Sequence, residues 1–437
     1  MRKIYIAFAV TIIGTMAKGQ SIQDSLLAEV TLQQAVDYSI KHQPLIQQSL
    51  IDQDITDANI RSRLADWYPQ VNFNYNYQHN FKVQTTVIGD NVVQLGVNNT
   101  SSLQFTASQA IFKRDLLLAS QTKKNVRLQA RQNTSSNKID VAVAVSKAFY
   151  DVLASTQQVK VSTENIIRIE RSLKDTYNQY QAGITDKTDY KRATIALNNA
   201  KAAKKTNEEL LKAKLEYLKS LMGYPEKSPL NIVYDSLQME KESFIDTLQD
   251  VNYANRIEYK LLETQKSLLQ ANLKYSRWSF LPELSANGAY NLLYLNNDFN
   301  KLYNRHFPNS FAGLTFALPI FQGGKRKIEI ETAQFQIRRN DLDITNFRNN
   351  VNAEYAGALA NYKSNYANYM ALKENLALAQ EVYDVIQLQY RSGIKTYLEV
   401  INSETDLRTA QINYYNALYS LLASKIDLQR SLGQINY

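Results

Sequence analysis

The residues that could carry out chemistry are few and scattered in this chain of 437 residues. Its three histidines, His42, His79 and His306, are isolated, and none lies at a spacing from a carboxylate that suits a zinc site. There is no cysteine, which excludes disulfides and thiolate metal sites. The tripeptide Gly-Gly-Lys at 323–325 resembles a phosphate loop but lacks the full glycine and Ser/Thr pattern. The sequence therefore predicts no enzyme activity, no metal site and no cofactor.

The charged residues indicate a solvated surface. The net charge of +9 is modest for this length, and the basic residues alternate with acidic ones along helix-like stretches. A nucleic-acid partner would need basic residues clustered on one face, so none is expected.

The first 19 residues have the pattern of a signal peptide. Arg2 and Lys3 precede a short apolar run at 4–13, and Ala-Lys-Gly at 17–19 is a small-x-small cleavage site before Gln20. The apolar run is too short to span a bilayer, so a retained anchor is the weaker interpretation. We expect the mature protein to be exported.

The chain repeats itself at an offset of 210 residues. Tyr-Gln-Ala-Gly-Ile at 180–184 returns as Tyr-Arg-Ser-Gly-Ile at 390–394, and Leu-Met-Gly at 221–223 returns as Ser-Leu-Gly at 431–433. A period this long is one structural unit duplicated within the chain. We predict a first repeat over 20–229, a linker on the surface over 230–250, and a second repeat over 251–437.

The sequence of each repeat predicts the same order of elements: a helix, a β-hairpin, a very long helix and a shorter helix. The helices follow from stretches with little Gly or Pro, and the hairpins from alternation of apolar and polar residues. In the first repeat a helix starts near Thr31, and the other expected bounds are a hairpin at about 71–110, a long helix at 113–181 and a helix at 188–221. In the second they are about 284–320, 325–391 and 396–432, after a helix that ends near Pro282.

Both long helices carry an apolar ladder with a spacing of seven residues, which is typical of helices that supercoil against neighbours. The two ladders are Val145, Val152, Val159, Ile166, Leu173 and Tyr180, and, in the same register, Tyr355, Tyr362, Tyr369, Leu376, Tyr383 and Tyr390.

Together the hairpins and ladders favour a tube built from several chains. Strands of about ten residues can cross a bilayer, but the four strands of one chain cannot close a barrel, and open edges are not tolerated in lipid. The polar faces of the strands, such as Asn72, Asn74 and Asn76, suit a wet lumen. The alternative is a secreted coiled-coil or adhesin stalk without a pore, which leaves the two hairpins unexplained.

The duplicated plan, with Tyr-x-x-Gly before a second helix in both halves, resembles the outer-membrane efflux protein family over the whole mature chain. The resemblance implies an α+β membrane protein that forms a homotrimer. Its four strands per chain would give one twelve-stranded barrel in outer-membrane lipid, continued by a periplasmic helical barrel. It would be the exit duct of a tripartite efflux or type I secretion system, partnered by a periplasmic adaptor and an inner-membrane transporter.

The resemblance also implies a gate at the periplasmic helix turns. Counted from the two matching glycines, the gate positions of the family fall on Thr188, Asp189, Tyr390, Lys395, Glu399 and Asn402. Lys395 and Tyr390 are then expected to contact the Thr-Asp pair, with Lys395 bonding less well than the family's arginine would. Glu399 keeps a carboxylate and Asn402 does not, which implies one ring of carboxylates in the pore.

The turns themselves are expected to be the adaptor-contacting tips. Gly183 and Gly393 suit a helix end that needs positive φ. Ile184 and Ile394 are the candidate apolar contacts beside them.

Overall fold

A computed structural model describes residues 29–233, 239–240 and 242–437. The expected signal peptide at 1–19 lies outside the described residues. Within those residues, no helix is both long and apolar enough to cross a membrane.

Two helices open the described chain, α1 (Leu32–His42) and α2 (Pro44–Ala65). Thr31 and Gln34 form a capping box that starts α1. Pro44 is the first residue of α2, and Gln43 before it is extended, as the residue preceding a proline prefers to be. The proline therefore divides one helical stretch into two helices.

Four strands form one antiparallel sheet. They are β1 (Gln70–His79), β4 (Asn99–Phe112), β5 (Glu283–Asn296) and β6 (His306–Ala317), in the spatial order β1-β4-β5-β6. The central pair joins residues almost 200 positions apart, with Phe105 opposite Tyr290. Every residue of β1 and β6 is exposed, including apolar residues such as Phe73 and Phe311. Among the described residues, little protein therefore covers the outer strands within one chain.

The loops of the sheet differ from the expectation. The connection between β1 and β4, which would be the loop of the hairpin predicted at about 71–110, contains a small hairpin of β2 (Thr85–Ile88) and β3 (Asn91–Gln94). Each strand has only four residues, too short for a clear alternation to stand out in the sequence. In the second half β6 ends at Ala317, short of the expected end near 320, because Pro319 has no N–H to continue a ladder.

Five further helices make up most of the molecule. They are α3 (Arg114–Gln181), α4 (Lys187–Met222), α5 (Ile257–Arg277), α6 (Lys325–Arg391) and α7 (Tyr397–Leu432). The 68 residues of α3 give a helix about 100 Å long at 1.5 Å per residue. α3 packs along α4 and α7, and α6 packs along α7 and α5, so the helices lie side by side.

The main hydrophobic core lies around the middle of α3 and the C-terminal half of α7. Phe149 and Leu153 of α3 and Leu418, Leu421 and Leu422 of α7 are essentially inaccessible to solvent. Each such side chain contributes roughly 1.5–3 kcal/mol by leaving water. This cluster fixes α3, α4, α6 and α7 relative to one another at mid-length.

The stretch 230–250 is more than the expected surface linker. Leu230, Met239 and Ile245 are buried in the main core. The expectation of a surface linker rested on the absence of a periodic apolar pattern in the sequence. A segment that is neither a long helix nor a strand can bury single apolar residues without such a pattern. Its described residues are better called the inter-repeat strap.

Three tyrosines of the α6 ladder hold this strap. Tyr355 donates to the carbonyl of Gln249 at 2.7 Å, and Tyr362 donates to the carbonyl of Ser243 at 3.0 Å. Tyr369 donates to the carboxylate of Glu240 at 2.7 Å, which also accepts from Tyr414 of α7 and Lys373 of α6. The tyrosine ladder therefore fastens the strap through its hydroxyls, a role that its apolar spacing does not reveal.

We predict that Tyr362→Phe lowers the free energy of unfolding by about 1–2 kcal/mol, because it leaves buried peptide groups of the strap unpaired. Tyr362 is 3% exposed, and its hydroxyl also accepts from the backbone N–H of Ile245 at 3.2 Å. Denaturant unfolding followed by circular dichroism would measure the change. Tyr366→Phe is the control, since Tyr366 lies one turn away and is 39% exposed. Equal stabilities of the two variants would show that the strap contacts contribute nothing.

Candidate functional site

Two matching turns connect the helices of each pair. One lies between α3 and α4, the other between α6 and α7. Gly183 and Gly393 have φ of +70° and +75°, where other residues are strained. The N–H of Ile184 reaches the carbonyl of Gln179 at 2.9 Å, and the N–H of Ile394 reaches that of Gln389 at the same distance. Both long helices therefore end in the same hydrogen-bonded glycine turn.

Each turn presents one isoleucine to solvent. Ile184 is 72% exposed and Ile394 is 71% exposed, although isoleucine side chains are usually buried. Their assignment as adaptor contacts stays a prediction.

The helices after the turns begin at strong caps. Asp186 caps α4 by accepting a hydrogen bond from the N–H of Thr188, and its hydrogen bonding with Thr188 lowers the pKa of Asp186. Thr396 and Glu399 form a capping box at the start of α7, where the N–H of Thr396 donates to Glu399 at 2.9 Å. These caps hold the side chains at the turns in defined positions.

Lys395 bonds to a partner other than the expected one. Its ammonium donates to Glu399 at 2.6 Å, and this hydrogen bond is the main reason why the pKa of Glu399 is lowered. Asp189, the expected partner, lies 3.9 Å from Arg192 on its own helix. Glu399 is four residues from Lys395 and already oriented by its cap, so the local pair forms at little entropic cost.

Tyr390 joins two helices at the turns. It is 8% exposed, and its hydroxyl donates to the side chain of Gln179 on α3 at 3.0 Å. Burial raises the pKa of Tyr390, and the negative charge of Asp189 raises it further. The expected contact of Tyr390 with Asp189 stays a prediction, and Thr188 and Asn402 are exposed.

A buried seam on α7 was missed from the sequence. Its members follow the alternating three- and four-residue spacing of a coiled coil, and all are buried or half-buried. They are Tyr397, Val400, Glu404, Leu407, Gln411, Tyr414, Leu418, Leu421, Lys425, Leu428 and Leu432. The spacing was readable from the sequence, but charged and polar members obscured it. Tyr397, 3% exposed, packs beside Tyr390 with ring centroids 6.0 Å apart.

The remaining candidate sites have structural explanations. The Gly-Gly-Lys tripeptide at 323–325 forms the turn that starts α6, with φ of +55° and +85° at its glycines. Among the described residues, no group of three or more histidine or acidic side chains is placed to hold a metal ion.

Comparison with known proteins identifies the family. The sequence profile of the Outer membrane efflux protein family matches residues 35–224 and 260–434, most of the chain. The chain belongs to this family. It is 22% identical over 414 residues to the outer membrane protein TolC of Escherichia coli, an alignment that covers 90% of this chain and 80% of TolC. It is also 22% identical to the probable efflux pump outer membrane protein TtgC of Pseudomonas putida, over 92% of this chain and 82% of TtgC.

The fold agrees with a solved channel of the same kind. The CmeC outer membrane channel of Campylobacter jejuni superposes with a TM-score of 0.70 at 14% identity, over 99% of this chain and 94% of CmeC. Membership confirms the resemblance drawn from the sequence and the interpretation as an outer-membrane efflux channel. The stalk alternative is left without support.

We predict that Tyr390→Phe loosens the turns, because it removes the hydrogen bond that links α6 to α3. Loss of one net hydrogen bond of about 1 kcal/mol should speed hydrogen exchange at the ends of these helices about fivefold. Exchange of the detergent-purified protein, read by mass spectrometry, would measure it. Tyr177→Phe is the matched control, since its exposed hydroxyl bonds to Gln181 within α3. Equal exchange in both variants would contradict a cross-helix role for Tyr390.

Proposed function

We propose that the protein is the exit duct of a tripartite efflux or secretion system and acts as a homotrimer. Three copies would close one twelve-stranded barrel in the outer membrane, and their helices would form a periplasmic tunnel. The observation that carries the proposal is the four-stranded sheet with exposed outer strands at the start of helices about 100 Å long. Four strands are too few for a barrel, and twelve fall within the known range.

The alternation along the strands supports a barrel wall. In β1 the apolar Phe73 and Tyr75 alternate with Asn72, Asn74 and Asn76, and all five are exposed in a single chain. Such a strand fits between lipid on one face and a wet lumen on the other.

We also propose that the chain consists of two structural repeats, 20–229 and 251–437. The same order of helix, strand, strand, long helix and shorter helix in both halves supports this division. So do the two matching glycine turns. In a trimer, two repeats per chain would place six similar helix pairs around one axis, a suitable construction for a tube.

The turns would carry the gate and the docking site. The exposed Ile184 and Ile394 would contact a periplasmic adaptor, which would join the duct to an inner-membrane transporter. The similarity to TtgC, a probable efflux pump outer membrane protein, supports a pump partner. Glu399 from three copies would form one carboxylate ring at the narrow end of the tunnel, attractive to cations.

The gate would be held closed by several weak links at the turns. The gate residues proposed are Thr188, Asp189, Tyr390, Lys395, Glu399 and Asn402. Partly exposed charged links of this kind contribute about 1 kcal/mol or less each, so an adaptor's binding energy could reverse their sum.

The assembly has a direct test. Purified in detergent, the protein should migrate as a trimer that dissociates on heating, and it should conduct ions in planar bilayers. Gel mobility before and after heating, together with single-channel recording, would measure both. A water-soluble, non-conducting rod would overturn the channel and support a stalk.

The gate has a separate test. We predict that Lys395→Ala combined with Asp189→Ala raises single-channel conductance severalfold, because both turns lose charged side chains that would link neighbouring helices in the closed trimer. The matched control is Lys205→Ala with Glu209→Ala, which removes an exposed ion pair of 2.6 Å within α4. Conductance equal to that of the control would refute the gate assignment while leaving the channel in place.

A further inference from the structure

Glu404 is a carboxylate in an apolar position. It occupies the α7 seam between Val400 and Leu407, each 1% exposed, and it is itself only 5% exposed. Carboxylates are almost never this buried unless they are well paired. A charged residue at such a seam position lowers the stability of helix packing and needs a reason.

Its partner is Arg168 of α3. The guanidinium Nε lies 3.5 Å from the Glu404 carboxylate, and neither this nitrogen nor the facing oxygen makes a hydrogen bond in the described part of the chain. The Arg168 side chain is also mostly buried and lies 5.9 Å above the ring of Tyr383 on α6. A desolvated pair with poor hydrogen bonding recovers little of the cost of burying its charges.

The carboxylate borders a small cavity. This cavity, of about 200 Å³, is lined from α4 by Ala196, Asn199 and Ala200, none of which titrates. The charged and titratable groups that face Glu404 are Arg168 of α3, Tyr383 of α6, and Tyr397 and Arg408 of α7. Burial outweighs the two arginines and raises the pKa of Glu404 to about 7.

The pair joins the two repeats, and its charges are not duplicated. At the offset of 210 residues, Glu404 corresponds to Thr194 and Arg168 corresponds to Leu378. The duplicated helix plan therefore does not itself require the pair. A buried charge that the architecture does not need points to a functional role.

We propose that Glu404 is a proton switch between α3 and α7: its neutral form keeps the two helices packed, and its ionised form favours their separation. This inference rests on the proposed gate. Glu404 lies about two helical turns after Tyr397 on α7, and it would regulate the opening of that gate. Separation of α3 from α7 would admit water to the cavity and hydrate the carboxylate.

The direction of the pH effect follows from proton linkage. With the helices packed, the pKa of Glu404 is about 7; hydrated after separation, it returns toward the ordinary value of 4.5. The packed state therefore binds the proton more tightly, so acid favours packing. The ratio of separated to packed channels should rise by up to about tenfold per pH unit between the two pKa values and level off above the higher one.

The test is single-channel conductance between pH 5 and pH 8, on the full-length protein. The wild type should show more open time as the pH rises to about 7. Glu404→Gln, which imitates the neutral form, should stay in the low-conductance state at every pH. Asp406→Asn is the matched control, since it removes the same charge from an exposed position two residues away and should follow the wild type.

A second variant covers the case in which Glu404→Gln does not assemble. Arg168→Gln removes a cation that favours ionised Glu404, so the rise in open time should move to higher pH. An unmoved profile for Arg168→Gln, or equal profiles for Glu404→Gln and the wild type, would overturn the switch. Absence of conductance in every protein, the wild type included, would instead contradict the proposed function.

Discussion

The open edges of the sheet are the constraint on which the rest of the structure depends. Among the described strands, β1 pairs only with β4 and β6 only with β5, so each outer strand has a row of backbone groups facing no strand of its own chain. In hydrocarbon each unpaired backbone group costs several kcal/mol. In water an open sheet edge can pair with other chains and so promotes aggregation. One chain therefore leaves both edges of the sheet unpaired among its described strands, and the neighbouring copies of the proposed trimer would pair them.

The packing between helices is not uniform along their length. At mid-length the core around Phe149 and Leu418, with the inter-repeat strap fastened across α6, joins four helices firmly. Toward the turns the apolar contacts shrink to small groups, such as Ala193 with Tyr390, Tyr397 and Val400. Local opening is easiest where few apolar contacts resist it. The proposed gate at the turns would thus need no separate hinge, because the packing already weakens in that direction.

The sequence predicted the strands and helix faces, which have a periodic pattern. It did not predict contacts for which one side chain has two possible hydrogen-bond partners. Alternation and seven-residue spacing reveal strands and helix faces because they follow from backbone geometry. Lys395 shows the limit: either Asp189 or Glu399 could accept its hydrogen bonds, and only the capped geometry of α7 decides for Glu399. The inter-repeat strap shows a second limit. Tyr369 can be placed in an apolar ladder by its ring, and the sequence does not show that its hydroxyl donates to Glu240.

The two proposed repeats differ in charge near the turns and at the contact between α3 and α7. Where the second has Lys395 and Glu404, the first has Thr185 and Thr194, neutral residues that cost little to pack. Arg168 reverses the pattern, since its counterpart is an apolar leucine. The charges thus lie on opposite sides of the contact between α3 of one repeat and α7 of the other. A symmetric distribution would have given the counterparts, Leu378 and Thr194, the same two charges, whereas the chain has its buried ion pair at the contact between α3 and α7 alone of these two positions, where the proposed proton switch would act.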